Sequence, residues 1–318
     1  MIKSDTLQVA LAQMTPIWLN RDSTLQKMES WAEEAGAKGS QLIVFPEALV
    51  PGYPFWIELT DGARFNNQRQ KELHAHYLDQ AIQVEAGHLD GLCAIAAQHK
   101  MVIVLGSIER PSDRGGHSVY CSMIYIDENG QIANVHRKLM PTYEERLCWS
   151  PGDGHGLRTF PLGAFTVGGL NCWENWMPLP RAALYAMGED LHLAIWPGQL
   201  RNTEDITPFI AKEGRSFAIS VCSFMRAEDI PADIPHAEVI KSSSPAIMAN
   251  GGSCIAAPNG EWVVAPVVNE EKLIIATLDH ARVREERQNF DPAGHYSRPD
   301  VTQLTVNRER QSTIRIKD

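Results

Sequence analysis

Residues 165–187 read FTVGGLNCWENWMPLPRAALYAM, and this stretch decides the class of fold. The run Phe165–Cys172 predicts a strand, and Pro178 suits the first position of a helix, where no backbone N–H is needed. The helix is predicted to turn inward a face made of Leu179, Ala182, Ala183, Ala186 and Met187. A strand that turns directly into a helix is typical of α/β folds.

The alternation of strand and helix continues downstream. The pattern predicts a strand at Leu191–Trp196, a helix that begins at Thr207-Pro208 with Ile210, Phe217 and Ala218 inward, and a strand at Ile219–Met225. Strands at Ser253–Ala257 and Trp262–Val268 flank Asn259-Gly260, a dipeptide typical of two-residue hairpin turns.

The first half of the chain repeats this order. Strands are predicted at Leu7–Gln13, Gln41–Phe45 and Met101–Ile108, with a hairpin at Asn129-Gly130 between Val119–Ile126 and Ile132–Arg137. A capping box at Ser23–Gln26 predicts the start of a helix that buries Leu25, Met28, Ala32 and Ala35. Leu89, Leu92, Cys93 and Ala96 mark a second helix, and the polar region Asp61–Gln83 is expected to be helical in part.

Two halves with one element order predict an α/β fold of four layers, in which two similar sheets pack together with helices outside. A late strand at Lys272–Thr277 and a charged helix at Asp279–Asn289 complete the pattern. We expect a single domain over residues 1–300 and a C-terminal tail over residues 301–318.

The composition restricts the partners. The chain has 318 residues, 44% of them hydrophobic and 21% charged, as in folded globular proteins. Its formal net charge of -10 disfavours nucleic acid and anionic membrane surfaces. The long uncharged stretch Ser242–Gly260 is too polar to span a membrane. The N-terminus lacks the apolar segment of a secretory signal, and the six cysteines form no C-x-x-C pair. We therefore expect free thiols in the cytoplasm.

Glu47 is the first residue that could carry chemistry. It follows a buried strand, and Pro46 cannot continue a central ladder. The side chain is therefore expected at the carboxyl end of a strand, where α/β sheets place their sites. The alternative is a solvent-facing glutamate at the end of a strand.

Lys138 is the second candidate, because it ends a hairpin strand and is followed by the carboxylate pair Glu144 and Glu145. The alternative for this segment is a solvated loop with salt bridges of little energetic value. His136 offers a further alternative, because Cys/His pairs are common in nucleophilic catalysis.

Cys172 is the third candidate. A thiol at the point where a glycine-containing strand breaks into a turn resembles a nucleophile elbow, in which nearby backbone N–H groups can bind an anion. The alternative is a buried structural cysteine, which is the common fate of this residue type.

Together these motifs resemble the nitrilase superfamily, and its nitrilase branch in particular. Three segments carry the resemblance: Gly169-Leu-Asn-Cys172-Trp-Glu-Asn, Lys138-Leu-Met-Pro-Thr-Tyr-Glu-Glu145-Arg-Leu, and Gly294-His295-Tyr-Ser-Arg-Pro-Asp300. Glu47 precedes them in the order of the family's Glu–Lys–Cys triad. The likeness covers roughly residues 5–300, whereas the short tail after Asp300 differs from the longer tails of many nitrilases.

The resemblance implies an αββα sandwich that pairs into an αββα–αββα dimer and assembles further. It implies Glu47 as general base, Lys138 as electrophilic stabiliser, Cys172 as nucleophile and Glu145 as a second glutamate. It also places Tyr53 near the substrate. The aromatic residues around the motifs, among them Trp173 and Trp196, suggest a pocket for an aryl or arylalkyl nitrile.

The implied reaction converts a nitrile and water to a carboxylic acid and ammonia, with no metal or organic cofactor. Zinc is disfavoured because the cysteines and histidines lack ligand spacing. An unperturbed glutamate would take the thiol proton uphill by about 4 pKa units, or roughly 5–6 kcal/mol. We expect burial and Glu145 to raise the pKa of Glu47, and Lys138 to lower that of Cys172. An amidase, a hydratase that stops at the amide, and a catalytically silent assembly protein remain alternatives.

Overall fold

A computed structural model describes residues 5–314 and residue 317 of the chain. Its strands are β1 (Thr6–Gln13), β2 (Leu42–Val44), β3 (Val102–Glu109), β4 (Tyr120–Ile126), β5 (Ile132–Arg137), β6 (Phe160–Leu162), β7 (Phe165–Asn171), β8 (Leu191–Trp196), β9 (Phe217–Cys222), β10 (Phe224–Arg226), β11 (Ile247–Ala256), β12 (Trp262–Val268) and β13 (Lys272–Asp279). Its helices are α1 (Arg21–Ala37), α2 (Trp56–Leu59), α3 (Gln68–Gln80), α4 (Asp90–His99), α5 (Pro178–Ala186), α6 (Ile206–Gly214), α7 (Ala237–Ser243) and α8 (Ala281–Arg287).

The strands form two sheets. The first sheet has the order β13-β1-β2-β3-β4-β5, and the second has the order β10-β11-β9-β8-β7-β6, with β12 paired to β11. Parallel pairs lie at the centre of each sheet. In the first sheet β2 pairs with β1 and with β3, and in the second sheet β8 pairs with β7 and with β9. Strand β13, which comes from the second half of the chain, pairs antiparallel with β1 along its whole length.

Alternation along the strands builds the layers. On β1, Leu7, Val9 and Leu11 point into a core shared with β7, β8 and β9 of the second sheet, while Ala10 and Ala12 face the helices. Leu25, Met28, Ala32 and Ala35 of α1 pack with α4 on that outer face, as their spacing predicted. Helix α6 covers the outer face of the second sheet. The predicted α/β architecture of two packed sheets with helices outside is therefore confirmed.

The polar region Asp61–Gln83 contains α3, as expected in part. Leu73 and Tyr77 of this helix are buried, and the Tyr77 hydroxyl donates to the carbonyl of Gly52 at 3.0 Å. Helix α3 thus covers the end of the first sheet, beside the segment that follows β2.

The start of α1 differs from its predicted position. Asn20 is the N-cap, and its side chain accepts a hydrogen bond from the Ser23 backbone N–H at 3.0 Å. The predicted box at Ser23–Gln26 is wrong because the helix already begins at Arg21. Asparagine caps a helix as well as serine does, so local pattern could not choose between them.

The two Asn-Gly hairpins also differ in detail. Asp127 pairs with Gln131, and Ala257 pairs with Glu261, so each loop has three residues rather than two. Gly130 and Gly260 adopt positive φ of 77° and 82°, while the asparagines before them do not. The two-residue turn would need positive φ at both positions.

Two predicted helical faces are corrected. On α5 the buried residues are Pro180, Arg181, Ala183, Leu184 and Tyr185, so of the predicted face only Ala183 is buried. Leu179, Ala182 and Ala186 are exposed. Helix α6 ends at Gly214, and Phe217 and Ala218 belong to β9 instead. Apolar spacing alone could not show which face meets a sheet and which remains outside.

Residues 292–314 contain neither helix nor strand. Among the described residues, no helix is long and apolar enough to cross a membrane.

Candidate active site

Three strand ends bring the candidate residues together. Glu47 follows β2 by three residues, Lys138 follows β5 directly, and Cys172 follows β7 directly. Glu47 and Lys138 therefore come from the first sheet and Cys172 from the second. The Glu47 N–H donates to the Trp196 carbonyl of β8 at 3.3 Å, which joins the two sheets at this point.

The side chains form one buried cluster. The Lys138 ammonium lies 2.9 Å from Glu47 Oε1 and 2.7 Å from Glu145 Oε2. One carboxylate oxygen from each glutamate and the Cys172 sulfur all lie within 4.8 Å of one another. None of the four residues is more than 3% exposed. The solvated alternatives for Glu47 and for the lysine loop are therefore excluded.

Backbone hydrogen bonds fix the position of Lys138. Its N–H donates to the Cys121 carbonyl at 2.7 Å, and its own carbonyl accepts from the Gly152 N–H at 2.7 Å. The ammonium also lies 5.4 Å from the centroid of the Trp149 ring, a cation–π distance. The lysine is thus held on both its backbone and its charged end.

Glu145 is held by the turn that contains it. Thr142 and Glu145 form a capping box, in which Glu145 Oε2 accepts from the Thr142 N–H at 2.6 Å. The Tyr53 hydroxyl lies 2.7 Å from Glu144 Oε1 and 3.1 Å from Glu145 Oε1. Tyr53 therefore ties the carboxylate pair to the segment that follows Glu47.

The two oxygens of Glu47 have different surroundings. Oε1 contacts the Lys138 ammonium and accepts from the Cys121 thiol at 3.5 Å. Oε2 is buried and has no hydrogen-bond partner among the described residues. Burial raises the pKa of Glu47 to about 7, with Lys138 opposing this shift and Glu145 adding to it. Oε2 is thus the atom available to accept a proton.

Cys172 has the backbone of a strained elbow, with φ of 50°. Such a conformation costs a residue other than glycine about 1–3 kcal/mol and is concentrated at functional sites. Burial raises the pKa of the thiol well above its usual range, and Glu47 adds to this, while Lys138 and the Trp173 N–H act against it. The expected effect of Lys138 is therefore present, but it is smaller than that of burial.

Lys138 carries the positive charge of the cluster. Burial by itself would lower its pKa, but the facing groups Cys172, Glu47 and Glu145 hold the pKa of Lys138 well above its usual value. This ammonium also argues against a metal between the two carboxylates and the thiol, because it already binds both carboxylates and would repel a second cation.

Glu174 is a site residue that the sequence reasoning did not identify. Its buried carboxylate accepts from the Leu139 N–H at 2.5 Å and from the Asn171 N–H at 2.8 Å. It also lies 3.1 Å from Nε2 of His136, so the imidazole pairs with Glu174 rather than serving as the base of Cys172. Glu174 joins the residue after Lys138 to the residue before Cys172. Its position two residues after the thiol was the available signal.

A cavity of about 640 Å³ opens onto the cluster. Tyr53 and Trp173 line it together with Cys172 and Glu145. Trp196 does not line it, because its indole is fully buried and donates to the Ser220 hydroxyl at 3.2 Å. The cavity is also lined by aromatic and aliphatic side chains and by charged ones, which include Phe55, Ile247, Met248, Glu58, Glu144 and Arg201.

Sequence comparisons agree with these motifs. A family model described as carbon-nitrogen hydrolase matches residues 8–288. The chain is 34% identical to nitrilase 2 of Arabidopsis thaliana, over 98% of this chain and 91% of that protein. It is 35% identical to an aliphatic nitrilase of Sinorhizobium fredii, over 96% and 97%. It is 36% identical to the bifunctional nitrilase/nitrile hydratase NIT4 of rice, Oryza sativa subsp. japonica, over 95% and 84%.

Solved structures share the fold. A carbon-nitrogen hydrolase from Helicobacter pylori G27 superposes with a TM-score of 0.70 at 19% identity, covering 93% of this chain and 96% of that one. A nitrilase-superfamily amidase from Nesterenkonia, in a mutant form, gives 0.64 at 18% identity, covering 91% and 96%.

Removal of the central cation tests the charge balance of the cluster. We expect Lys138→Met to lower the free energy of unfolding at pH 7.5 by about 3–5 kcal/mol, because it leaves buried carboxylates without their partner. The deficit should shrink toward pH 5.5, because protonation neutralises Glu47, whose pKa burial raises to about 7. Urea titrations at both pH values measure this, with the exposed lysine variant Lys71→Met as the control. Equal stability of the two variants would contradict the assignment.

Proposed function

Because the chain belongs to the carbon-nitrogen hydrolase family and is a hydrolase of carbon–nitrogen bonds, we propose that it is a nitrilase that converts an organic nitrile to a carboxylic acid and ammonia. The observation that carries this proposal is the buried contact of Lys138 with Glu47 and Glu145 beside the Cys172 sulfur. Together the four residues supply a nucleophile, a base and a fixed positive charge, which nitrile hydrolysis requires.

The first step is proton transfer from the Cys172 thiol to Glu47. Its raised pKa, about 7, makes Glu47 a better proton acceptor than an ordinary glutamate, and Oε2 is free to take the proton. A neutral resting thiol also fits the raised pKa of Cys172. The thiolate forms as it attacks the nitrile carbon, so a buried negative charge need not persist in the free enzyme.

Attack moves an electron pair from the carbon–nitrogen triple bond onto the nitrogen. Lys138 and the Trp173 N–H are the donors that can stabilise the growing charge. Glu47 returns its proton to this nitrogen, which gives a neutral thioimidate bound to Cys172. Glu145 holds the lysine in place from the other side and thereby keeps its charge directed at the reacting atoms.

Water completes the reaction in two additions. Glu47 takes a proton from the first water, which adds to the thioimidate carbon, and passes it to the nitrogen. Glu47 then carries the proton of the new hydroxyl group to the same nitrogen, so that ammonia leaves and a thioester remains. A second water then adds to the thioester, the sulfur leaves, and the carboxylic acid is released. If the sulfur leaves before ammonia does, the product is an amide instead. The rice relative is named as a bifunctional nitrilase/nitrile hydratase.

The cavity supports a substrate with an aromatic or extended apolar group. Tyr53, Phe55 and Trp173 line it beside Cys172, and its volume suits a small organic molecule. Aryl and arylalkyl nitriles are therefore our proposed substrate class. The charged residues Glu58 and Arg201, which also line the cavity, favour a substrate that carries a polar group as well.

We also propose that the chain self-associates through α5. Trp176, Leu179 and Phe209 are each more than 40% exposed, and the rings of Trp176 and Phe209 stack at 6.5 Å. Contiguous exposed apolar side chains of this kind mark association surfaces. The cytoplasm is the compartment we propose, because the described cysteines are free thiols.

A substrate panel tests the activity. We expect ammonia release from aryl and arylalkyl nitriles with the carboxylic acid as main product. We expect a loss of at least about 10³-fold in Cys172→Ala, because Cys172 is the cysteine among the described residues that lines the cavity. The panel includes aliphatic nitriles and the matching amides. Cys148→Ala, a cysteine outside the cluster, is the control. Turnover of amides alone would assign an amidase, and inactivity on every compound would favour an assembly role.

The pH dependence tests the base. We expect kcat/KM for a neutral nitrile to fall about tenfold per unit below pH 7, because protonation of Glu47, whose pKa is raised to about 7, removes the proton acceptor. The same profile for Glu47→Asp measures whether this acidic limb belongs to the residue. A rate that stays constant from pH 7.5 down to pH 5 would refute the role of Glu47.

Light scattering after size exclusion tests self-association. We expect Leu179→Glu to reduce the molar mass to that of one chain, because a charge on the exposed face of α5 opposes burial against a second copy. Val239→Glu, on the exposed side of α7, is the matched control. An unchanged mass in the Leu179 variant would exclude this surface.

A further inference from the structure

Behind the Cys172 turn lies a buried chain of hydrogen bonds that the mechanism above does not use. We propose that Asn175, oriented by His192 and Glu189, is a positioning residue that holds Cys172 in its reactive backbone conformation. This inference rests on the proposed function for its kinetic readout. Asn175, His192 and Glu189 are all fully buried.

Asn175 bonds to the backbone on both sides of the strained residue. Its Nδ2 donates to the Cys172 carbonyl at 2.8 Å and to the Leu170 carbonyl at 3.2 Å. An amide nitrogen has two hydrogens, and here both are used. The two bonds fix the carbonyl directions before and after the φ of 50° at Cys172, and they oppose relaxation of the turn.

His192 fixes the orientation of this amide. Because Nδ2 faces the two carbonyls, Oδ1 of Asn175 faces Nε2 of His192, at 2.7 Å. Oδ1 can only accept, so Nε2 must carry a hydrogen. A flipped amide would place its oxygen against two carbonyl oxygens, which is repulsive.

Glu189 fixes the imidazole in turn. Nδ1 of His192 lies 3.0 Å from both carboxylate oxygens of Glu189. A hydrogen bond between Nδ1 and the carboxylate occupies that side of the ring. The Nε2 hydrogen is then available to donate to Asn175. The order of the chain is therefore Glu189, His192, Asn175 and the Cys172 carbonyl.

Two further features support this series of hydrogen bonds. A Cβ on Gly168 of β7 would collide with Oε1 of Glu189, so the glycine leaves room for the carboxylate. Arg181 donates to the Asn175 carbonyl at 2.7 Å and pairs with Glu213. Gly168, the first glycine of the Gly-Gly pair before Cys172, thus leaves room for this row of hydrogen-bonded side chains.

This series of hydrogen bonds sets the direction of two groups at the site, the Cys172 sulfur and the Trp173 N–H. The Cys172 peptide sets where the sulfur lies relative to Glu47 and where the Trp173 N–H points. If the turn relaxed, both would move, whereas the cavity walls formed by Tyr53 and Phe55 would not. Loss of the chain should therefore lower kcat more than it raises KM.

Paired substitutions of His192 test the proposal. We expect His192→Leu to lower kcat about 100-fold, the scale of a misplaced reacting group, with KM changed less than about threefold. The amide of His192→Gln can still donate to Asn175 and should recover at least about tenfold of that loss. Leu193→Ala, in the core on the opposite face of β8, is the control for lost stability, and its folded fraction should keep its kcat.

Alkylation of Cys172 provides a readout that does not depend on nitrile turnover. We expect its iodoacetamide rate, followed by mass spectrometry of the Cys172 peptide, to fall about tenfold or more in His192→Leu and to recover in His192→Gln. Circular dichroism reports the folded fraction. Three results would each overturn the proposal. The first is an unchanged kcat and alkylation rate in His192→Leu, the second is an equal loss in both variants, and the third is a loss that follows the folded fraction. If the wild type hydrolyses no nitrile, alkylation alone still decides it.

Discussion

The ion pairs of Lys138 with Glu47 and Glu145 are the interaction on which the site depends. A buried ammonium needs negative partners, and two buried carboxyl groups need a cation. In the part of the chain that the structure describes, one oxygen of Glu47 has no hydrogen-bond partner, and the positive charge of Lys138 acts on the Cys172 sulfur. The arrangement that makes burial tolerable is therefore also the arrangement that chemistry requires.

The resting state of the cluster follows from its burial. The thiol of Cys172 is kept neutral, because low solvent exposure raises its pKa more than Lys138 lowers it. Glu47 is poised near pH 7 by the same desolvation. The proton is thus held by sulfur until a substrate carbon is available to stabilise the thiolate by bonding to it. This differs from a stable thiolate–imidazolium pair, and His136 is engaged by Glu174 instead.

The sequence was sufficient to predict most strands, the packing of two sheets, and the placing of Glu47, Lys138 and Cys172 after strands, because buried strands and their ends leave strong local patterns. It failed where the outcome depended on distant contacts. The face that α5 buries is set by the second sheet, and the indole of Trp196 is turned into the core by Ser220. The role of Glu174 required knowing that two loops from different sheets meet. No pattern within one segment carries that information.

The two sheets contribute unequal parts of the chemistry. Glu47 and Lys138 stand on the first sheet and Cys172 on the second, although the halves share an order of elements. Neither half by itself contains all three groups: the first half lacks the thiol, and the second half lacks the glutamate and the lysine. If the halves arose from one repeated unit, the two copies had to diverge into a base-bearing and a thiol-bearing half. Selection for activity then acts on the interface between the two halves and not on either half alone.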